Sequence, residues 1–160
     1  MEQEITRLVT QVGDALTSRG RFLATAESCT GGLVACLLTD VSGSSAWYVG
    51  GVVAYANHIK EELLGVPKMT LSAHGAVSEE TVLAMAMGAA RRFNTRCALA
   101  ISGVAGPLGG SLEKPVGTVW IGWSVDGRVS AELFLFSGDR LAVKQQSAQA
   151  ALEGLLGRLR

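Results

Sequence analysis

Three short apolar runs do most to limit what this chain can fold into: Phe22 to Ala26, Tyr48 to Tyr55 and Cys97 to Ile101. They are strand-length, nearly free of charge, and lack the strict polar alternation of strands that face water on one side. Runs of this kind predict strands covered on both faces, as in a sheet with helices packed above and below. The segments between them supply those helices. Ile5, Leu8, Val9, Val12 and Leu16 recur at helical spacing from Glu2 to Ser18, and Gly20 ends the pattern. Thr30-Gly31-Gly32 opens a small helix through Val34, Ala35, Leu37 and Leu38, and a Ser42 to Ser45 loop follows. Asn57 is placed to cap a short helix that Gly65 and Pro67 close.

Further on, Ser78 caps a helix whose Glu79 and Glu80 suit the positive end of its dipole. Val116 to Val125 and Val129 to Phe136 read as two strands joined at Asp126-Gly127, a hairpin signal. A last helix runs from Asp139 to the C-terminus. The prediction is an α/β chain folded as a three-layer α/β/α sandwich, with a mostly parallel sheet and at least one antiparallel strand. With no repeat, linker or charge block, residues 1–160 are expected to form one domain.

Composition narrows the function. Lys plus Arg and Asp plus Glu both number 14, so the basic excess of a nucleic-acid-binding domain is missing. The N-terminus lacks the basic-then-apolar pattern of a secretion signal, and no apolar stretch approaches the roughly 18 residues of a membrane span. Cys29, Cys36 and Cys97 make an odd count without CxxC spacing, which fits a reducing cytoplasm better than a disulfide framework. Hydrophobic residues reach 48%, more than a sheet covered on both faces need absorb, and a subunit interface accounts for the rest.

Open α/β sheets bind ligands where strands end and loops lead into helices. Glu27-Ser28-Cys29-Thr30-Gly31-Gly32 directly follows the first strand, and its backbone N–H groups suit an oxyanion or phosphate. Ser28 is placed either as a nucleophile or, with Thr30, as a helix cap. A serine needs a base, and His58 and His74, the latter in an expected loop, form no triad or metal spacing. Lys60 fits the part if its amine is neutral; an ordinary surface lysine is the alternative. Cys29 is the rival nucleophile. Gly43-Ser44-Ser45 and the Gly-rich stretch from Ser102 to Ser111 offer polar contacts, and the latter matches neither the Walker pattern nor G-x-G-x-x-G. Arg140, in the first turn of the last helix, is placed to meet a phosphate.

The ordered set of motifs resembles the CinA C-terminal domain family, in particular its stand-alone nicotinamide-nucleotide amidases. The matching runs are Ala26-Glu27-Ser28-Cys29-Thr30-Gly31-Gly32, Gly43-Ser44-Ser45, Gly50-Gly51-Val52-Val53-Ala54-Tyr55 with Lys60, and Glu62-Leu63-Leu64-Gly65-Val66. His74-Gly75-Ala76-Val77-Ser78-Glu79, Ile101-Ser102-Gly103-Val104-Ala105-Gly106-Pro107, Glu113-Lys114-Pro115-Val116-Gly117 and Gly138-Asp139-Arg140 complete the series. The resemblance implies a mixed five-stranded sheet and a self-associating, cytoplasmic homodimer or higher oligomer. It also implies hydrolysis of nicotinamide mononucleotide to nicotinic acid mononucleotide and ammonia, with no metal or organic cofactor. By the same resemblance Ser28 is the nucleophile, Lys60 the base and Tyr55 a further catalytic residue. Thr30, Gly31, Gly32, Ser44, Ser45, Ser102, Gly103 and Arg140 are its substrate-binding positions. A non-catalytic nucleotide-binding module of the same fold is the competing expectation.

Overall fold

The first and third apolar runs become strands in which large and small side chains alternate, rather than apolar and polar ones. The computed structural model describes residues 2–160, with α1 (Glu2–Ser18), β1 (Leu23–Glu27), α2 (Leu33–Thr39), a 3-10 turn at Ser44–Ala46 and β2 (Tyr48–Val53) in its first third. Three helices follow, α3 (Asn57–Leu64), α4 (Lys68–His74) and α5 (Glu79–Arg92). The chain finishes with β3 (Cys97–Gly103), β4 (Thr118–Val125), β5 (Arg128–Leu135) and α6 (Arg140–Leu159). In β1 and β3, Leu23, Cys97, Leu99 and Ile101 face the core built with α1 and α6, where Val9, Val12, Leu16, Leu152 and Leu155 are fully covered. Ala24, Ala26, Ala98 and Ala100 face the other way, against Val82, Met85 and Ala86 of α5. Small residues on that side let α5 lie close to the sheet. At Gly88 an added Cβ would collide with the Leu64 carbonyl oxygen, so a glycine is required where α5 crosses the end of α3.

The five strands lie in the order β2-β1-β3-β4-β5. β1 is parallel to β2 and β3, while β4 is antiparallel to both its neighbours. Four strands therefore point one way and β4 alone runs back, a mixed and mostly parallel sheet as expected. The β4–β5 turn is the one the sequence signals: Asp126 and Gly127 take φ of 50° and 83°, the left-handed pair of a type I′ hairpin. Ser78 and Asp139 cap α5 and α6 by accepting from the amides of Thr81 and Ala142.

Four local expectations are corrected. Asn57 does not cap α3; it is the first helical residue, and the Ala56 carbonyl accepts from the amides of Ile59 and Lys60. His74 belongs to the last turn of α4 rather than to a loop. α4 buries only Leu71, so no apolar period announces it. Ser44 and Ser45 start a 3-10 turn, and Ser102 and Gly103 extend β3 rather than open the Gly-rich loop. No helix among the described residues is long and apolar enough to cross a membrane.

Candidate active site

The path of the chain fixes where a ligand can sit. From β1 it moves outward to β2, then returns past β1 to β3, so the direction of winding reverses between β1 and β3. A crevice forms at such a reversal, beyond the carboxyl ends of the two strands. Ser28 is the first residue after β1. Its amide donates to the Ile101 carbonyl at 2.9 Å, and the Ala54 amide donates to the Glu27 carbonyl at 2.8 Å. These bonds hold the ends of three strands side by side.

Lys60 projects from α3 into this junction and is only 1% exposed. Its Nζ lies 3.1 Å from Ser28 Oγ and donates to the carbonyls of Ala54 at 2.8 Å and Tyr55 at 3.1 Å. No carboxylate reaches it among the described residues. An uncompensated charge at such depth costs several kcal/mol. Burial accordingly pulls the lysine below its ordinary value of 10.5, a shift that Cys29 only partly opposes. The surface-lysine alternative fails on this geometry.

The capping alternative for Ser28 fails too, because another residue fills that role. Glu27 is buried, and its carboxylate accepts from Thr30 Oγ1 at 2.7 Å and from the amides of Val34 at 2.9 Å and Ala35 at 3.1 Å. The N-terminus of α2 is therefore closed by a carboxylate six residues upstream of Leu33, leaving the Ser28 hydroxyl facing Lys60. Sequence reasoning passed over Glu27; the signal was an acidic residue beside an otherwise neutral turn before a helix. Glu27→Ala leaves two amides and a hydroxyl without their acceptor, and is expected to lower stability by about 2–5 kcal/mol. Urea denaturation checks this; an unchanged midpoint would show that water replaces the carboxylate.

Cys29 does not compete as a nucleophile. It is 6% exposed, and burial raises its thiol to about 11, so almost no thiolate exists near neutrality. Around the dyad is a cleft of about 260 Å³, lined by Ser28, Cys29, Tyr55, Lys60, Ser102, Gly103 and Arg140 among others. That volume falls just below the usual range for ligand sites, about 300 to 1,000 Å³. The Arg140 guanidinium donates to the Gly106 carbonyl at 2.7 Å and to the Tyr55 hydroxyl at 3.1 Å, tying α6 to the rim. Tyr55 meets the dyad through its backbone carbonyl, and the residue as a whole is 62% exposed.

The remaining sequence candidates are placed less centrally. Thr30 is buried with its hydroxyl on Glu27, and Gly31 and Gly32 lie on the turn outside the cleft lining. The Gly31 amide already donates to the Ser28 carbonyl, whereas those of Cys29 and Thr30 have no carbonyl acceptor among the described residues. Ser102 borders the cleft but donates its hydroxyl to the Ala76 carbonyl at 2.7 Å. Ser44 and Ser45 are not brought to the dyad within this chain. They precede β2 at the opposite end of the sheet, a strand length away, about 17 Å for five residues. In a larger concavity of about 640 Å³, lined by Val125, Asp126, Arg128, Ser130 and Arg158, the one hydroxyl, that of Ser130, accepts from the Arg158 guanidinium rather than facing a base.

Known proteins resemble this chain in both sequence and fold. Nicotinamide-nucleotide amidohydrolase PncC of Escherichia coli is 49% identical over 155 residues, covering 96% of this chain and 94% of its own length. The protein of the same name from Pseudomonas putida is 51% identical over 152 residues, covering 95% of each. A crystal structure of a competence-damaged protein (CinA) superfamily member from Klebsiella pneumoniae superposes with a TM-score of 0.93 at 40% identity, over 97% of both chains. The family model described as the CinA C-terminal domain matches residues 5–159. With its serine turn, buried lysine and winding reversal set in that frame from one end to the other, the chain belongs to the CinA C-terminal domain family.

Proposed function

We propose that this chain is a nicotinamide-nucleotide amidase, a single amidohydrolase domain that hydrolyses the carboxamide of nicotinamide mononucleotide. The observation that carries the reading is the buried Lys60 amine, 3.1 Å from Ser28 Oγ, with two carbonyls on its other side. A neutral amine has two N–H groups and one lone pair. With both hydrogens on the carbonyls of Ala54 and Tyr55, the lone pair faces the Ser28 hydroxyl. That is the orientation a general base requires. The names of the Escherichia coli and Pseudomonas putida relatives supply the substrate.

The reaction then runs in two halves. Ser28 Oγ attacks the carboxamide carbon as its proton passes to Lys60 Nζ. The amides of Cys29 and Thr30, neither bonded to a carbonyl among the described residues, stabilise the tetrahedral oxyanion, since the helix N-terminus itself is occupied by Glu27. Collapse breaks the C–N bond, and the Lys60 ammonium returns the proton to the departing amine, which leaves as ammonia. Water next attacks the acyl-serine ester, giving its proton to Lys60, which passes it back to Ser28 Oγ as the acid departs. Burial supports this cycle by lowering the lysine pKa and so favouring the neutral amine.

The direct test is ammonia release from nicotinamide mononucleotide by the purified protein, with and without EDTA. Equal release in both is expected. Failure of a folded protein to release ammonia would sink the amidase reading and favour a module that only binds the nucleotide. Loss of release on adding EDTA would show that a metal ion participates.

A further inference from the structure

Lys144 stands out as a cation that nothing in the fold uses. It lies one turn after Arg140 on α6, at the i and i+4 spacing that puts two side chains on one face. It is half-buried, yet no carboxylate or hydrogen-bond acceptor engages it among the described residues. Its Nζ sits 3.7 Å from where a Cβ would stand on Gly31, so the ammonium rests against the serine turn. Arg140 likewise has no carboxylate partner; it contacts only the Gly106 carbonyl and the Tyr55 hydroxyl. Both charges act on the sulfur of Cys29, the residue next to Ser28. The one carboxylate of the turn, Glu27, is buried and already accepts three hydrogen bonds.

Two cations without counter-ions on one side of a nucleophile leave a surplus of positive charge for a ligand to neutralise. In a nicotinamide mononucleotide, the phosphate is separated from the carboxamide by the pyridine ring and the ribose. It must therefore lie some distance from Ser28. Lys144 meets Gly31, three residues past Ser28 and outside the lining of the cleft that holds the dyad, while Arg140 lines that cleft, so the pair reaches outward from the serine. Resting on the amidase reading, we propose that Lys144 is a specificity-determining residue that, beside Arg140, binds the substrate's 5′-phosphate and so selects the mononucleotide over the phosphate-free riboside.

The test separates binding from turnover. Affinities for nicotinamide mononucleotide and nicotinamide riboside are measured by calorimetry on Ser28→Ala protein, with and without Lys144→Ala. The expected result is about tenfold weaker binding of the mononucleotide, unchanged binding of the riboside, and recovery in Lys144→Arg. Because Lys144 has no partner in the fold, the thermal midpoint should stay in place. Equal losses for both ligands, no loss for either, or no binding of either ligand overturns the proposal. Wild-type ammonia release is the independent arm. Lys144-dependent mononucleotide binding without release would defeat the amidase reading and leave the phosphate contact standing. Release with Lys144-independent affinity would do the reverse.

Discussion

Ser28→Ala is expected to release ammonia from nicotinamide mononucleotide about a thousandfold or more slowly than the wild type, with its fold intact. Removing a nucleophile that works as a unit with its base collapses the rate to what binding and oxyanion stabilisation alone provide. The structure offers no substitute. Cys29 is the nearest other nucleophile, and its thiol is held near 11 by burial. Nor does the hydroxyl support the fold, because Glu27, not Ser28, satisfies the start of α2. The unfolding midpoint should therefore move by no more than about 1 kcal/mol. Activity within tenfold of wild type would show that water attacks directly, and Ser28 would lose its role.

Lys60→Met should remove activity to a similar extent, but it has a second consequence that the serine variant lacks. The folded-state pKa of Lys60 lies below its ordinary 10.5 because burial penalises the charge. Between those two values the unfolded chain holds a proton that the folded chain has released. Stability then rises with pH, by at most about 1.4 kcal/mol per pH unit for one group. Below the window both states are protonated and the cost of the buried charge is present in full; above it both are neutral. Wild-type stability, measured relative to Lys60→Met, should thus climb through that window and level off beyond it. Ammonia release by the wild type should rise along a one-proton limb at the same folded-state value. A stability difference that stays flat into alkaline pH would mean the amine carries its proton alike in both states, and it could not then be the base.

Some parts of this molecule are written locally and others only through topology. The hairpin at Asp126-Gly127 and the caps Ser78 and Asp139 are legible because each depends on residues within a few positions of itself. α4 is not, since its helix hides one leucine and follows a proline. Lys60 reads from spacing as a surface residue. Only the β1–α2–β2–α3 path folds it back under Ser28, 32 positions earlier. The same path carries Ser44 and Ser45 to the far end of the sheet, although their motif reads as well as the Ser28 motif does. Glu27 escapes because its capping partners lie seven and eight residues ahead, beyond the reach of local cap patterns.

The serine and the lysine also differ in what anchors them. Ser28 follows β1, which has hydrogen-bonded neighbours on both sides, while Lys60 hangs from α3, which follows the edge strand β2 and docks on α5. Margins open more readily than centres, through partial unfolding that leaves the rest of the molecule native. Detachment of β2 with α3 would take away Lys60 together with the Ala54 and Tyr55 carbonyls that orient it, while the serine turn stayed pinned to Ile101. The working lifetime of such a catalyst under heat or denaturant is then expected to follow that partial opening, with activity fading before the fold does.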